Sequence, residues 1–207
     1  GEDLLRVAEA THDQFSQLAS RIKGRGDTIS GELVVTSLIE LAGWMTPVLV
    51  AFQKENPDIT VRFLTGERLF RLEYGEAHVA IRAGSAPDQP DNVVQPFITL
   101  KVGFYAHKSY VDKFGIPASI EEYVNHRFVV HDDMQMRAPF FQWMHKVVPK
   151  AAMTFRCLDS KALTEAILSG AGIGFLKLRD AKDNPDLIEI HPRLSEWDSP
   201  LWLVTHV

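Results

Sequence analysis

Gly31-Glu32-Leu33-Val34-Val35-Thr36-Ser37-Leu38-Ile39, with the helical stretch behind it and the stop at Asn56-Pro57-Asp58-Ile59, decides the fold. Residues 32–36 read as a strand. Residues 38–55 read as a helix, with Leu41, Met45, Val48, Leu49 and Phe52 recurring on one face. Pro57 forbids its continuation. Ile59, Val61 and Phe63 alternate as a second strand, residues 67–74 give a short helix closed by Gly75, and residues 79–81 give a third strand. Strand, helix, strand, helix, strand with crossovers of this length implies a parallel sheet with helices packed on it.

A second unit of the same kind follows. Residues 102–106 read as a strand, and Ser119-Ile120-Glu121-Glu122 as a capping box opening a short helix. Residues 128–130 form a strand and residues 138–148 a helix. Met153, Phe155 and Cys157 alternate as another strand, Leu163, Ile167 and Leu168 mark a helical face, and residues 173–176 form a short buried strand. Residues 187–190 and 201–204 come after that unit is complete and most simply return to the first sheet. The expected class is α/β, two lobes joined by crossing strands with a cleft between them.

Composition narrows the function. The 207 residues carry 22 basic and 27 acidic side chains, a formal charge of −5. Nucleic-acid binding runs on phosphate neutralisation, so this stretch is a poor nucleic-acid binder by itself. The apolar run over residues 41–52 is shorter than a bilayer span and interrupted by Pro47. No charged segment followed by an apolar one opens the sequence, so a soluble, cytoplasmic domain without membrane contact is expected. Cys157 is the one cysteine, which excludes an internal disulfide framework and a cysteine-rich metal site. Gly1 at the start and the apolar run Leu201-Trp202-Leu203-Val204 near the close read as cut ends, the mark of a fragment of a longer protein.

Residues 2–23 have a pattern of their own. Leu4, Ala8, Thr11, Phe15, Leu18 and Ile22 follow a heptad seam with mostly polar residues between them, weakened at Thr11. Such a narrow seam packs on a partner helix or folds onto its own domain. Gly24-Arg25-Gly26-Asp27 breaks it as a hinge or linker, so residues 1–28 form a segment of their own.

Few motifs carry chemistry. Gly170-Ala171-Gly172-Ile173-Gly174 invites a dinucleotide-loop reading, but a phosphate loop needs strand, glycine turn, then helix. Here the helix comes first, so Gly170 serves as a helix C-cap and Gly172 permits tight helix-to-strand packing. His131-Asp132-Asp133 lacks ligand spacing for a metal. At a strand end these residues serve as turn caps or as ligand contacts. Cys157 reads as a packed thiol on the face of Met153 and Phe155. No Gly-x-Ser-x-Gly elbow or paired histidine and carboxylate appears, so no catalytic set, metal site or cofactor is expected. The informative spot is Thr36-Ser37-Leu38-Ile39, at the carboxyl end of the first strand, where open α/β sheets bind ligands. Ser37 is compatible with both an N-cap and a ligand contact. Arg82, just past the third strand, sits at the same edge and reads equally as an ion-pair partner or a ligand contact.

Taken in order, these segments resemble the LysR-type transcriptional regulators without their N-terminal winged helix-turn-helix. The resemblance rests on the helix from Leu4 to Ile22 and on Gly31-Glu32-Leu33-Val34-Val35-Thr36-Ser37. It continues through Pro47-Val48-Leu49-Val50-Ala51-Phe52, Asn56-Pro57-Asp58-Ile59 and Tyr74-Gly75-Glu76-Ala77-His78-Val79-Ala80-Ile81-Arg82. Asp159-Ser160-Lys161-Ala162-Leu163 and Ser169-Gly170-Ala171-Gly172-Ile173-Gly174 complete it, so it covers essentially the whole chain. The resemblance implies two Rossmann-like lobes of the type 2 periplasmic-binding-protein kind, with residues 31–100 and 184–207 as regulatory subdomain I and 101–183 as subdomain II. It implies a linker helix that pairs two subunits through Leu4, Ala8, Phe15, Leu18 and Ile22, giving a homodimer or tetramer. DNA is reached only through the N-terminal domain. A small-molecule effector is then expected between the lobes. Thr36, Ser37, Leu38, Ile39, Arg82 and Ala83 would hold it from one side, and His131, Asp132, Asp159 and Ser160 from the other. Ser37-Leu38-Ile39 stands where the family often has Ser-Pro-Thr, so the second hydroxyl is missing. Asp132 suits an amine or hydroxyl and Arg82 suits an acid, so the two point to opposite effector charges.

Two rivals share the scaffold. A transporter's solute-binding protein needs no heptad seam, and an enzyme needs a turnover group, for which His131 with Asp132 is the candidate pair.

Overall fold

Strand β1 (Gly31–Ser37) lies between β2 (Ile59–Thr65) and β3 (Val79–Ala83) and runs parallel to both. The computed structural model describes residues 31–66, 70–88 and 91–206, so the helix expected over residues 1–28 falls outside the described residues. Leu33, Val34, Val35, Thr36 and Ser37 are all buried, as a strand covered on both faces requires. A single turn of 3-10 helix, Ile39–Leu41, leads into α1 (Ala42–Glu55). Met45, Leu49 and Phe52 are its buried face, each contributing about 1.5–3 kcal/mol by leaving water. Asn56 ends the helix as read from Pro57: its Nδ2 donates to the Phe52 carbonyl at 2.9 Å.

The first sheet has the order β2-β1-β3-β10-β4. Strand β4 (Asn92–Leu100) is absent from the sequence reading. It contains Pro96, which no interior strand tolerates, and it sits at the edge of the sheet, where a missing N–H costs no ladder bond. Strand β10 (Ser199–His206) fills the interior between β3 and β4, antiparallel to β3. Its Trp202 donates Nε1–H to the Gly84 carbonyl at 2.7 Å. Of the helix expected over residues 67–74, the described part is a 3-10 turn, Leu72–Tyr74, closed by Gly75 at φ 69°.

The chain divides into two compact units. One runs up to Ile98 and resumes at Leu201, and the other is Thr99–Pro200. The second unit centres on β5 (Val102–His107), paired antiparallel with both β8 (Gly174–Lys177) and β9 (Leu187–His191). This corrects two expectations. The second unit is not wholly parallel, and the strand at 187–191 does not return to the first sheet; among the segments after residue 184, β10 does. The apolar pattern of Leu187-Ile188-Glu189-Ile190 marks a strand but says nothing of its neighbour.

Strand β6 (Phe128–His131) pairs parallel with β7 (Met153–Cys157). A parallel bridge from Phe128 to Ile173 ties β6 to the run entering β8, with Val129 N–H donating to the Ile173 carbonyl at 2.8 Å. Phe155 faces solvent at 39% exposure, so the expected packing with Met153 fails. Strand β7 pairs with β6 alone in its two-stranded sheet, leaving it an edge. Helix α2 (Lys108–Phe114), also unforeseen, is capped by a histidine: His107 Nδ1 accepts the Ser109 N–H. The Ser119 box does not form. Ile120–Asn125 is a 3-10 segment, Ser119 makes no side-chain cap, and Glu122 Oε2 instead accepts the Ala118 N–H at 2.7 Å.

Two cores hold this unit. Phe104, Trp143, Phe175 and Trp197 meet ring to ring at 4.8–6.2 Å between centroids. Val129, Phe141, Leu163, Ala166, Ile167, Leu176 and Ala181 form the other, which helix α3 (Pro139–Val147) and helix α4 (Ser160–Leu168) help to build. Helix α5 (Leu178–Lys182) adds Ala181. Gly170 ends α4 at φ 78°, the left-handed conformation expected of its C-cap role. Gly172 differs from expectation: a Cβ there would lie 2.6 Å from the Arg127 carbonyl oxygen, so the close approach is to the chain entering β6 and not to a helix.

Candidate functional site

Parallel pairing puts the carboxyl ends of β1, β2 and β3 at one edge of the first sheet. Val35 and Ser37 share a face by the two-residue strand period, and Thr36 takes the opposite one. Ser37 is 3% exposed, and its Oγ is buried with no hydrogen-bond partner among the described residues. Its backbone carbonyl accepts the Gly66 N–H at 3.2 Å, joining the ends of β1 and β2. The expected N-cap role of Ser37 is not taken up. Leu38 occupies the cap position of the 3-10 turn and no side chain bonds there. An unpaired hydroxyl out of water costs about 1–3 kcal/mol, which a ligand oxygen or nitrogen would relieve.

The neighbours at this edge are Leu38, half-buried, and Ile39, 53% exposed. Arg82, half-buried at the end of β3, donates from Nη2 to the Phe70 carbonyl at 2.9 Å. Ala83 is exposed beyond it. The first-lobe set of the sequence reading is therefore brought to one sheet edge by β1 and β3.

In the second unit, the named residues gather at the carboxyl ends of β6 and β7, where His131, Asp132 and Asp159 are already engaged. His131 is buried. Its Nε2–H donates to the Leu158 carbonyl at 2.9 Å and its Nδ1 accepts the Asp133 N–H at 3.1 Å. That fixes a neutral tautomer with both nitrogens occupied. Asp132 pairs with Arg156 at 2.6 Å, with both side chains about half exposed. Asp159 caps α4, its Oδ1 accepting the Ala162 N–H at 2.8 Å, and Ser160 opens the helix. His131 and Asp132 thus serve separate partners and form no acid–base pair. Cys157 is half-buried against the second core, with Sγ accepting the Asp159 N–H at 3.4 Å.

Two residues at these ends escaped the sequence reading. Met134, after β6, is 45% exposed, and Leu158, after β7, is 63% exposed. The signal was their place in the short run behind a strand end, Leu158 directly after β7 and Met134 three residues after β6. Among the described residues no three His, Cys, Asp or Glu side chains group to hold a metal, and no helix is long and apolar enough to cross a membrane.

Residues 26–207 match the LysR substrate binding domain family. The chain is 27% identical over 158 residues to the uncharacterized HTH-type transcriptional regulator YcaN of Escherichia coli, covering 75% of this chain and 52% of that protein. It is 33% identical over 97 residues to the HTH-type transcriptional regulator IlvY of Escherichia coli, covering 45% of this chain and 32% of that one. An HTH-type transcriptional regulator of Xanthomonas campestris is 31% identical over 84 residues, 41% of this chain and 24% of that protein. The chain therefore spans between a quarter and about half the length of these relatives. Among solved structures, the CrgA regulatory domain of Neisseria meningitidis superposes with a TM-score of 0.69 at 21% identity, covering 86% of this chain and 89% of that one. Full-length AphB of Vibrio cholerae gives 0.70 at 18% identity, covering 96% and 70%. Fold, segment order and the match over residues 26–207 agree: the chain belongs to the LysR substrate binding domain family, the regulatory part of LysR-type transcriptional regulators.

Proposed function

We propose that the chain senses a small-molecule effector for a transcriptional regulator, with Ser37 at the centre of the effector site. The observation that carries this reading is the buried, unpartnered Ser37 hydroxyl at the carboxyl end of β1, where open α/β sheets take their ligands. The effector shifts the domain between conformations by binding one better than the other. Residues 1–28 pair two copies through Leu4, Ala8, Phe15, Leu18 and Ile22, and an N-terminal helix-turn-helix domain in the cytoplasm carries the response to DNA. In this reading Arg82 lies beside the effector at the edge of the first sheet, contact from Asp132, Asp159 or Ser160 is a separate expectation, and no catalysis is involved. The family match does not favour a transporter's solute-binding protein.

The test is a melting-temperature screen of metabolites against the 207-residue chain and its Ser37→Ala variant. Compounds that raise the wild-type midpoint and lose the effect in Ser37→Ala are expected. Hits that stabilise both proteins equally would move the effector site away from Ser37.

A further inference from the structure

We infer that His131 is a positioning residue of the second unit: its ring holds the turns behind β6 and β7 against each other, so that a ligand there meets side chains and not backbone. That a ligand comes to this surface rests on the effector-sensing reading; the coupling of the two turns does not. Register places His131 opposite Cys157, which sets its buried ring beside the exit of β7. Nε2–H donates to the Leu158 carbonyl at 2.9 Å, behind β7, and Nδ1 accepts the Asp133 N–H at 3.1 Å, behind β6. A rigid ring with one donor and one acceptor cannot turn toward either partner without weakening its bond to the other. The residue is itself held. Its ring packs on Phe141 at 5.3 Å between centroids, and its carbonyl accepts the His145 Nε2–H at 3.2 Å. The Asp132 N–H, donating to the Cys157 carbonyl at 3.0 Å, continues the β6–β7 ladder up to the point where the imidazole takes over. The Asp132–Arg156 pair also crosses the two strands, but an ion pair so exposed holds little. With the Leu158 carbonyl and the Asp133 N–H committed to the buried ring, these turns offer side chains: Leu158, Met134 and Asp132 are all exposed. His131, expected as an effector contact, instead sets where the contacting groups stand.

Amide hydrogen exchange and long-range proton–nitrogen spectra of the 207-residue chain test this. In the unaltered protein the His131 ring should carry its proton on Nε2; a proton on Nδ1 overturns the inference. His131→Asn puts a side-chain oxygen near the Nδ1 position and leaves the Leu158 carbonyl without a donor. It should keep the Asp133 amide protected and speed exchange at Asp159 and Ala162, the amides fastened to the β7 turn, by about tenfold, the worth of one buried hydrogen bond. His131→Gln reaches the Leu158 carbonyl and gives up the Nδ1 acceptor, so it should reverse the pattern. The Val129 N–H, bonded to the Ile173 carbonyl in the same unit, is the control and should keep its wild-type rate in both variants. A side chain that only fills space gives no such split. Unchanged rates in both variants overturn the inference, because neither bond then holds its turn. Loosening that reaches Val129 equally, or loss of the fold in both variants, overturns it as well, since His131 is then a core residue and not a link. Neither Ser37 nor a bound effector enters this test, so its failure and the failure of the Ser37 screen are read separately.

Discussion

His78 clasps Val34 from two sides: its backbone N–H donates to the Val34 carbonyl at 2.9 Å, and its ring Nδ1 accepts the Val34 N–H at 2.9 Å. The imidazole takes the place of a strand carbonyl, extending the β1–β3 ladder one rung before β3 begins. Replacing it by alanine strands the Val34 N–H in a buried position. His78→Ala should lower stability by about 1–3 kcal/mol, the cost of an orphaned buried donor. Urea denaturation measures that loss, and hydrogen exchange should show the Val34 amide opening well before its neighbour Val35. Unchanged protection at Val34 would mean that another acceptor serves it.

Acid should weaken the second unit through His126. The Tyr110 hydroxyl accepts the Arg127 N–H at 2.9 Å and lies within hydrogen-bond distance, 3.1 Å, of His126 Nδ1. Burial pushes the His126 pKa down, against a smaller upward pull from Glu122. Because the folded pKa lies below the unfolded one, the unfolded chain binds the proton first as pH falls. Stability contributed by neutral His126 is complete above the ordinary histidine value and drains away between that value and the lowered one. The melting midpoint should thus fall more steeply with pH in that window than it does in His126→Asn, which keeps an acceptor for Tyr110 and does not titrate. Parallel curves for the two proteins would assign the acid sensitivity elsewhere.

Gly172 and Gly170 should respond differently to alanine. At 172 the new methyl meets backbone, the Arg127 carbonyl oxygen at 2.6 Å, and the rung between β6 and Ile173 must shift. At 170 the nearest obstacle is the movable Ser109 Oγ, leaving the φ of 78° as the main cost. Gly172→Ala should cost about 1–3 kcal/mol by overpacking. Gly170→Ala should cost about 1 kcal/mol for the left-handed backbone. Thermal melts of the pair rank them, and the reverse order would contradict the close approach at Gly172.

Asp159→Ala removes the cap of α4 and should cost about 0.5–2 kcal/mol. Asp159→Asn retains an acceptor and should recover most of it. Both variants serve a second purpose: an effector whose affinity falls in Asp159→Asn, at preserved stability, touches Asp159 directly.

The heptad of residues 4–22 is testable by mass. Light scattering should give a dimer mass for the 207-residue chain and a monomer mass for residues 29–207. A monomer mass for both would withdraw the linker-helix reading.

What the sequence could show depended on how local the cause was. The stop at Asn56-Pro57 and the left-handed Gly170 were legible because a proline and a glycine act within their own turn. The β1 run was legible because five consecutive buried residues leave no other reading. Strand β9 was recognised but sent to the wrong sheet, since its partner β5 lies some eighty residues away and alternation carries no address. Helix α2 hid behind a histidine cap, and β4 behind Pro96, both departures from the usual residue preferences. At the site, the location of Thr36, Ser37 and Arg82 on one edge followed from parallel topology. The pairing of Asp132 with Arg156, and the occupation of both His131 nitrogens, depended on side-chain directions that no spacing rule encodes.

The position of β10 governs the order in which the polypeptide can be completed on the ribosome. Thr99–Pro200 is continuous in sequence and can close its own core as soon as it emerges. The earlier-made unit cannot: β3 and β4 flank an open slot until Ser199–His206 arrives to fill it. During translation the first sheet therefore waits with two raw strand edges exposed, a state prone to pairing with other chains. The half of the protein synthesised first is therefore the half finished last, because its strands β3 and β4 are joined only through one made after the whole second unit.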